Sequence, residues 1–221
     1  MDKFNIYEYI SFILPGGLII AVVLYGFEIV PTNASPSATV LIMLTAAAFV
    51  VGHLNVAVAN FLQPLAWGAR PGSWPSSTAG VFGNRGRYDD ARKQKVEDHF
   101  AQLFPDAADF QQRFNIAYTL LRQEQLDGHL QTLNHQIGFY RNMATAVVMS
   151  IGSLVAASRS GHHRLDLLLW LPLGLIALFL LVSRFRRFWA RFGDEVIRGI
   201  QAWDLRREQA GSSADPENGR S

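Results

Sequence analysis

The sequence predicts an all-α integral membrane protein. It would have four transmembrane helices, a small helical cytoplasmic domain between spans two and three, and a basic amphipathic C-terminal helix. Two observations carry that prediction. Apolar residues make up 49% of the 221-residue chain, but they sit in four blocks, Ile10 to Phe27, Thr39 to Leu62, Met143 to Ala157 and Leu167 to Val182, where charge is nearly absent. Such blocks approach the ~20 apolar residues that a helix needs to cross a bilayer, and the two shorter ones would borrow flanking residues. Net charge is only +2, yet almost all of the twenty Lys and Arg lie in two segments outside the blocks. A core-helix reading of all four blocks fails because the remaining polar region is too small to bury them.

The first span is expected over 9–29, entered through Tyr7 and Tyr9, whose rings suit the headgroup level. The start has Asp2 and Glu8 beside a single Lys3, so it reads as a retained helix rather than a cleaved signal. Pro15-Gly16-Gly17 interrupts this span. Proline removes a backbone donor and glycine adds freedom, giving either a hinge or a packing notch for another helix, and the notch is the favoured reading. The loop VPTNASPS carries no Lys or Arg and is placed outside the cytoplasm.

The second span, 39–62, is apolar enough to cross but contains His53, Asn55 and Asn60. Hydrocarbon penalises such groups unless protein or water partners them. At ~100° per residue His53 and Asn60 share a face while Asn55 points elsewhere. His53 and Asn60 are therefore the sharpest candidate pair. As functional residues they would bind a head group, relay a proton or line a pore; as structural ones they would hydrogen-bond a neighbouring helix, which is the favoured alternative.

Residues 65–139 form the expected cytoplasmic domain. Gly80, Gly83 and Gly86 lack the Lys-Ser or Lys-Thr that would make a phosphate loop, so this stretch reads as a mobile loop. Helices are expected from Asp89 to Phe104, from Pro105-Asp106, and from about Leu126. Their stripes, among them Phe100, Phe114, Leu121 and Leu130, read as core. Mixed charge without a basic-aromatic platform gives no argument for nucleic acid.

The third span, 141–158, is dominated by small residues. Ala146/Ser150 and Gly152/Ala156 have the spacing that lets helices approach closely, and Ala48/Gly52 in the second span is the expected partner. The fourth span, 166–183, is Leu-rich and expected to face lipid. In the basic helix, 184–208, Phe and Trp residues including Trp189 and Trp203 gather on one face, and Arg184, Arg187, Arg191 and Arg198 on another. That helix would lie on an anionic leaflet or pack its aromatic face on the cytoplasmic domain. Residues 209–221 read as a disordered tail. Eighteen of the twenty basic residues then fall in cytoplasmic segments, which puts both termini inside.

Arg141 with Asp194 and Glu195 is a candidate juxtamembrane ion pair. His162, His163 and Asp166 offer three potential metal ligands, but adjacent histidines do not share a helix face, so no metal is expected. No cofactor is indicated. The absence of Cys removes disulfides, thiolate metal sites and thiol nucleophiles. No nucleophile-base-acid constellation is visible, and the expectation is a protein that is not an enzyme.

With these residues in hand, the chain resembles a loose group of uncharacterised bacterial four-span inner-membrane proteins. The likeness lies in Leu14-Pro15-Gly16, Gly52-His53, Trp74-Pro75-Ser76, Tyr140-Arg141-Asn142 and Arg191-Phe192-x-Asp194-Glu195-Val196-x-Arg198. The resemblance implies a four-span layout in a bacterial inner membrane and no particular activity. Three functional readings follow from the residues. One is an oligomeric pore-forming or membrane-perturbing effector controlled through its cytoplasmic domain, with a soluble protein or small molecule as the signal. The others are an anchor for a soluble cytoplasmic partner and, more weakly, a transporter or membrane enzyme using His53.

Overall fold

The computed structural model describes residues 6–29, 37–67, 88–161 and 164–213. Among them are six α-helices and no strand: α1 Ile6–Gly26, α2 Ala38–Leu62, α3 Asp90–Leu103, α4 Phe110–Gln123, α5 Gly128–Arg159 and α6 Arg164–Ser213, with a 3₁₀ turn Gln63–Trp67 after α2. Three helices are long and apolar enough to cross a membrane, through Tyr9–Gly26, Ala38–Ala66 and a stretch within Leu167–Ala210. The expected third span, in α5, is not among them; it carries Arg141, Asn142, Thr145, Ser150 and Ser153.

Several boundaries differ from expectation for local reasons. α1 ends at Gly26 because Glu28 takes a left-handed conformation, φ 55°. Pro105-Asp106 lies in a turn; α4 starts at Phe110 because Asp109 caps it, its carboxylate accepting from Gln112 N at 2.7 Å. Gln125, φ 56°, closes the turn after α4, and α5 begins at Gly128 rather than Leu126. The fourth span and basic helix are one helix that continues to Ser213, into the stretch expected to be disordered. Leu, Ala, Arg and Gln in that run favour helix, and its lone proline, Pro172, lies near the start.

The chain divides into two compact units, Met1–Pro75 with His135–Arg186, and Ser76–Asn134 with Arg187–Ser221. The first unit is a bundle arranged around α5. Gly26 in α1 faces Ala157 and Leu154 of α5 at 3.4 and 3.7 Å from an added Cβ, and Gly174 in α6 faces Ile151 and Val147. Asn142 of α5 bonds to both α1 and α2. Ser11 and Gly26 of α1 meet Asn142 and Leu154 of α5 in the same order. Phe12 and Gly16 of α1 meet Gly52 and Ala48 of α2 in reverse order, and Ala144 and Ile151 of α5 lie with Val182 and Gly174 of α6 in reverse order too, so successive helices of this unit alternate in direction. Leu168, Leu169, Phe179 and Leu180 of α6 stay exposed.

In the second unit, Phe100, Phe114, Leu121, Leu130, Val196, Ile197 and Ile200 form one buried cluster, with Phe192 and Trp203 packed against it. The apolar face of the basic helix is therefore used on α3 and α4, leaving Arg187, Arg191 and Arg198 exposed. Tyr88 and Asp194 are buried in the same unit. Burial, then the hydrogen bond to Asp194, raises the Tyr88 hydroxyl above its ordinary value near 10.

Candidate functional site

Small residues bring α1 and α2 together. A Cβ on Gly16 would press on the Ala48 carbonyl and lie 2.6 Å from Gly52 N; one on Gly52 would press on the Phe12 carbonyl, with Phe12 C at 2.7 Å. Only glycine fits at either place. The tightest approach of Ala48/Gly52 is to Phe12 and Gly16 of α1, where the small-residue face of α5 was the expected partner. α1 stays helical through Pro15, and Pro15 and Gly16 are both buried, while a Cβ on Gly17 would make only ordinary contact, 3.9 Å from Ala48 Cβ. In α5 the expected packing residues separate. Ala146 and Ser150 are buried, whereas Gly152 and Ala156 are exposed and a Cβ on Gly152 would meet nothing within 4 Å.

This close approach sets the register for a polar junction. Asn55 is 1% exposed and its Nδ2 donates to the Asn142 carbonyl at 2.9 Å. Asn142 Nδ2 donates to the Ser11 carbonyl at 3.4 Å, and its Oδ1 accepts from Arg141 Nε at 3.4 Å. Arg141 Nη1 donates to Oε1 of buried Gln63 at 3.0 Å. Helices α1, α2 and α5 are thus tied at one level by amide groups. Two buried oxygens there and nearby, Asn55 Oδ1 and Ser150 Oγ, have no hydrogen-bond partner among the described residues.

The expected pair sits differently. His53 is exposed, its ring stacked on Phe12 at 4.0 Å and close to Phe49 at 4.3 Å, with Nδ1 donating to the Phe49 carbonyl at 2.9 Å. Asn60 is exposed and makes no side-chain hydrogen bond to a described residue. Asn55, which pointed away from the His53 face, is the one turned inward. Asn142 and Gln63 went unrecognised as site residues, and so did Arg186, whose Nε donates to the Ala66 carbonyl.

Arg141 falls in the first unit, while Asp194 and Glu195 fall in the second. Glu195 has Arg198 as a neighbour at 3.9 Å. Of the aromatic-arginine set, Arg184 is exposed, Arg191 lies over Phe188 at 5.7 Å, Trp189 is half-buried, and Trp203 carries Arg207 at 5.6 Å. Gly80, Gly83, Gly86, Trp74-Pro75-Ser76, His162, His163 and the Asp166 side chain lie outside the described residues. Among the described residues no group of three His, Asp or Glu is placed to hold a metal ion.

No family model, curated protein or solved structure matches the chain. Function therefore has to be argued from the site. Chemically, the junction offers amide hydrogen bonds and one guanidinium, a set suited to holding helices and anions.

Proposed function

We propose that the chain is a non-enzymatic protein of the bacterial inner membrane that works as an oligomer. It spans four times with both termini in the cytoplasm, and its spans respond to a soluble partner or small molecule at the second unit. The observation that carries this reading is the polarity of the exposed side of α2. His53 and Asn60 lie outward on a helix apolar enough to cross a membrane, and the Asn60 side chain finds no hydrogen bond among the described residues. Hydrocarbon is a poor neighbour for an amide, and the same face of a second copy supplies the missing partner.

Four crossings are supported by the alternation of direction in the first unit. They are supported too by the position of α5, whose buried Asn142 bonds to α1 and α2 instead of facing lipid. The test is the oligomeric state in lipid nanodiscs, followed by dye leakage from vesicles carrying the protein. A defined oligomer that Asn60→Leu dissociates, with leakage reduced in parallel, supports the reading. A monomer whose leakage is unaffected by the substitution contradicts it.

One feature favours an anchor for a soluble protein instead. Ile116 is exposed beside a shallow groove formed with Phe104 and Leu120 on the second unit. Under that reading Ile116→Asp abolishes crosslinking to a single cytoplasmic partner and leaves oligomerisation untouched.

A further inference from the structure

From Arg187 onward α6 belongs to the second unit, and one of its sides is spent there. Val196, Ile197 and Ile200 are buried, with Phe192 and Trp203 packed against the same cluster. Arg187 and Arg191 are exposed and stand four residues apart, so they share another side of the helix. Neither pairs with a carboxylate among the described residues. Arg191 lies over the Phe188 ring at 5.7 Å, Asp194 is buried, and Glu195 has Arg198 at 3.9 Å. Two guanidiniums are thus left side by side in solvent with their charge uncompensated.

We infer that Arg187 and Arg191 bind the phosphates of an anionic phospholipid leaflet, while the apolar side of the same helix stays in the core of the second unit. The proposal rests on the reading of α6 as a membrane-spanning helix. Three features select a bilayer surface over a soluble anion or an acidic macromolecule. The first is proximity. Arg187 and Arg191 follow Val182, where the apolar block ends, by five and nine positions on one helix, about 7.5 and 13.5 Å of rise. Head groups fill roughly the first 5–8 Å beyond the hydrocarbon, and their field reaches about 8–10 Å further. The second is direction. Cα–Cβ bonds of an α-helix tilt toward its N-terminus, which in α6 is the apolar end. The third is chemistry, since the planar guanidinium fork matches phosphate oxygens. With the apolar side engaged in the core, the contact is electrostatic and yields to salt.

The experiment places the full chain in nanodiscs of phosphatidylcholine and phosphatidylglycerol, with a trace of either lipid carrying a photoreactive head group. Adducts around 187–195 are mapped by peptide mass spectrometry. In the wild type the phosphatidylglycerol probe labels this stretch about tenfold or more over the phosphatidylcholine probe. Arg187→Gln lowers that excess by about fivefold, and Arg191→Gln, farther from the apolar end, by less. Arg198→Gln leaves it unchanged, because Arg198 lies about 24 Å of rise past Val182 and has Glu195 beside it. Arg187→Lys keeps most of the excess, and 1 M salt removes it. Equal loss in all three Gln variants, or loss in none, overturns the leaflet contact. Excess inorganic phosphate at matched ionic strength leaves the labelling intact; displacement assigns the arginines to a free anion and overturns it. A chain that resists carbonate extraction yet is labelled equally by both probes overturns this surface alone. A chain released by carbonate overturns the membrane reading and the surface with it.

Discussion

Replacing Gly52 by Ala adds one methyl group at the place where α1 and α2 touch through their backbones. The new Cβ would press on the Phe12 carbonyl and sit 2.7 Å from Phe12 C and 3.0 Å from Phe12 Cα. Carbon atoms in contact prefer ~3.5–4.0 Å, so α1 has to withdraw by roughly 1 Å. Overpacking a core costs ~1–3 kcal/mol when side chains can rearrange. Here the obstacle is helix backbone on both sides, which cannot rotate away, so the cost falls at about 3 kcal/mol, the upper end of that range. Withdrawal of α1 also lengthens the bond from Asn142 to the Ser11 carbonyl, already at 3.4 Å. Gly17→Ala is the internal control. Its Cβ would be 3.9 Å from Ala48 Cβ, ordinary contact, and alanine is favoured over glycine within a helix by ~1 kcal/mol. The assay is unfolding of the purified protein by increasing mole fraction of a denaturing detergent, followed by loss of helical circular dichroism. Gly52→Ala should unfold well before wild type and Gly17→Ala no earlier than wild type. Equal stability of the two variants would refute the backbone contact.

Further outcomes follow from the geometry. Asn55→Leu keeps volume but removes the bond to the Asn142 carbonyl, and should cost ~0.6–1.7 kcal/mol in the same detergent titration. His53→Phe, which preserves the stack on Phe12, should cost less than that. Phe114→Ala opens the core of the second unit and should lower its stability by ~3–5 kcal/mol in urea, read by near-ultraviolet dichroism. Raised pH should weaken the same unit through Tyr88. Its folded pKa lies above the ordinary value near 10, so the folded state holds the proton where the unfolded chain has lost it. The contribution is complete below that value and fades as pH climbs through the folded pKa. Tyr88→Phe should be less stable at neutral pH and should lose that part of the alkaline slope.

Much of the helix layout was legible because each segment announces itself by period and composition. Phe100, Phe114 and Leu121 recur at helical spacing, and they are the core of the second unit. The polar junction was harder to see, although a signal existed. Ala48, Gly52, Asn55 and Ala59 follow one another at three- and four-residue steps, so Asn55 lies on the small-residue stripe that must face a helix. Treating His53 as the chemically richer group drew weight to the neighbouring face. Asn142 stands four residues before Ala146 and eight before Ser150, on the inward side of α5, but a span mouth reads as a boundary and not as a junction. Arg186 could not be singled out, because among the arginines of a basic helix the period marks a face without telling which residue turns back toward the 3₁₀ turn. The partner of Ala48/Gly52 was also beyond sequence. A small-residue motif says that something comes close, and α1 and α5 both offer small residues.

The absence of Cys from the chain allows the central claim, that the outward side of α2 is a boundary between copies, to be tested with single cysteines. Asn60→Cys places a thiol on that exposed side, and Ala59→Cys places one on the buried side. After mild oxidation in membranes, Asn60→Cys should run as a disulfide-linked dimer and Ala59→Cys as a monomer. Two monomers, or equal crosslinking of the two, would contradict the account.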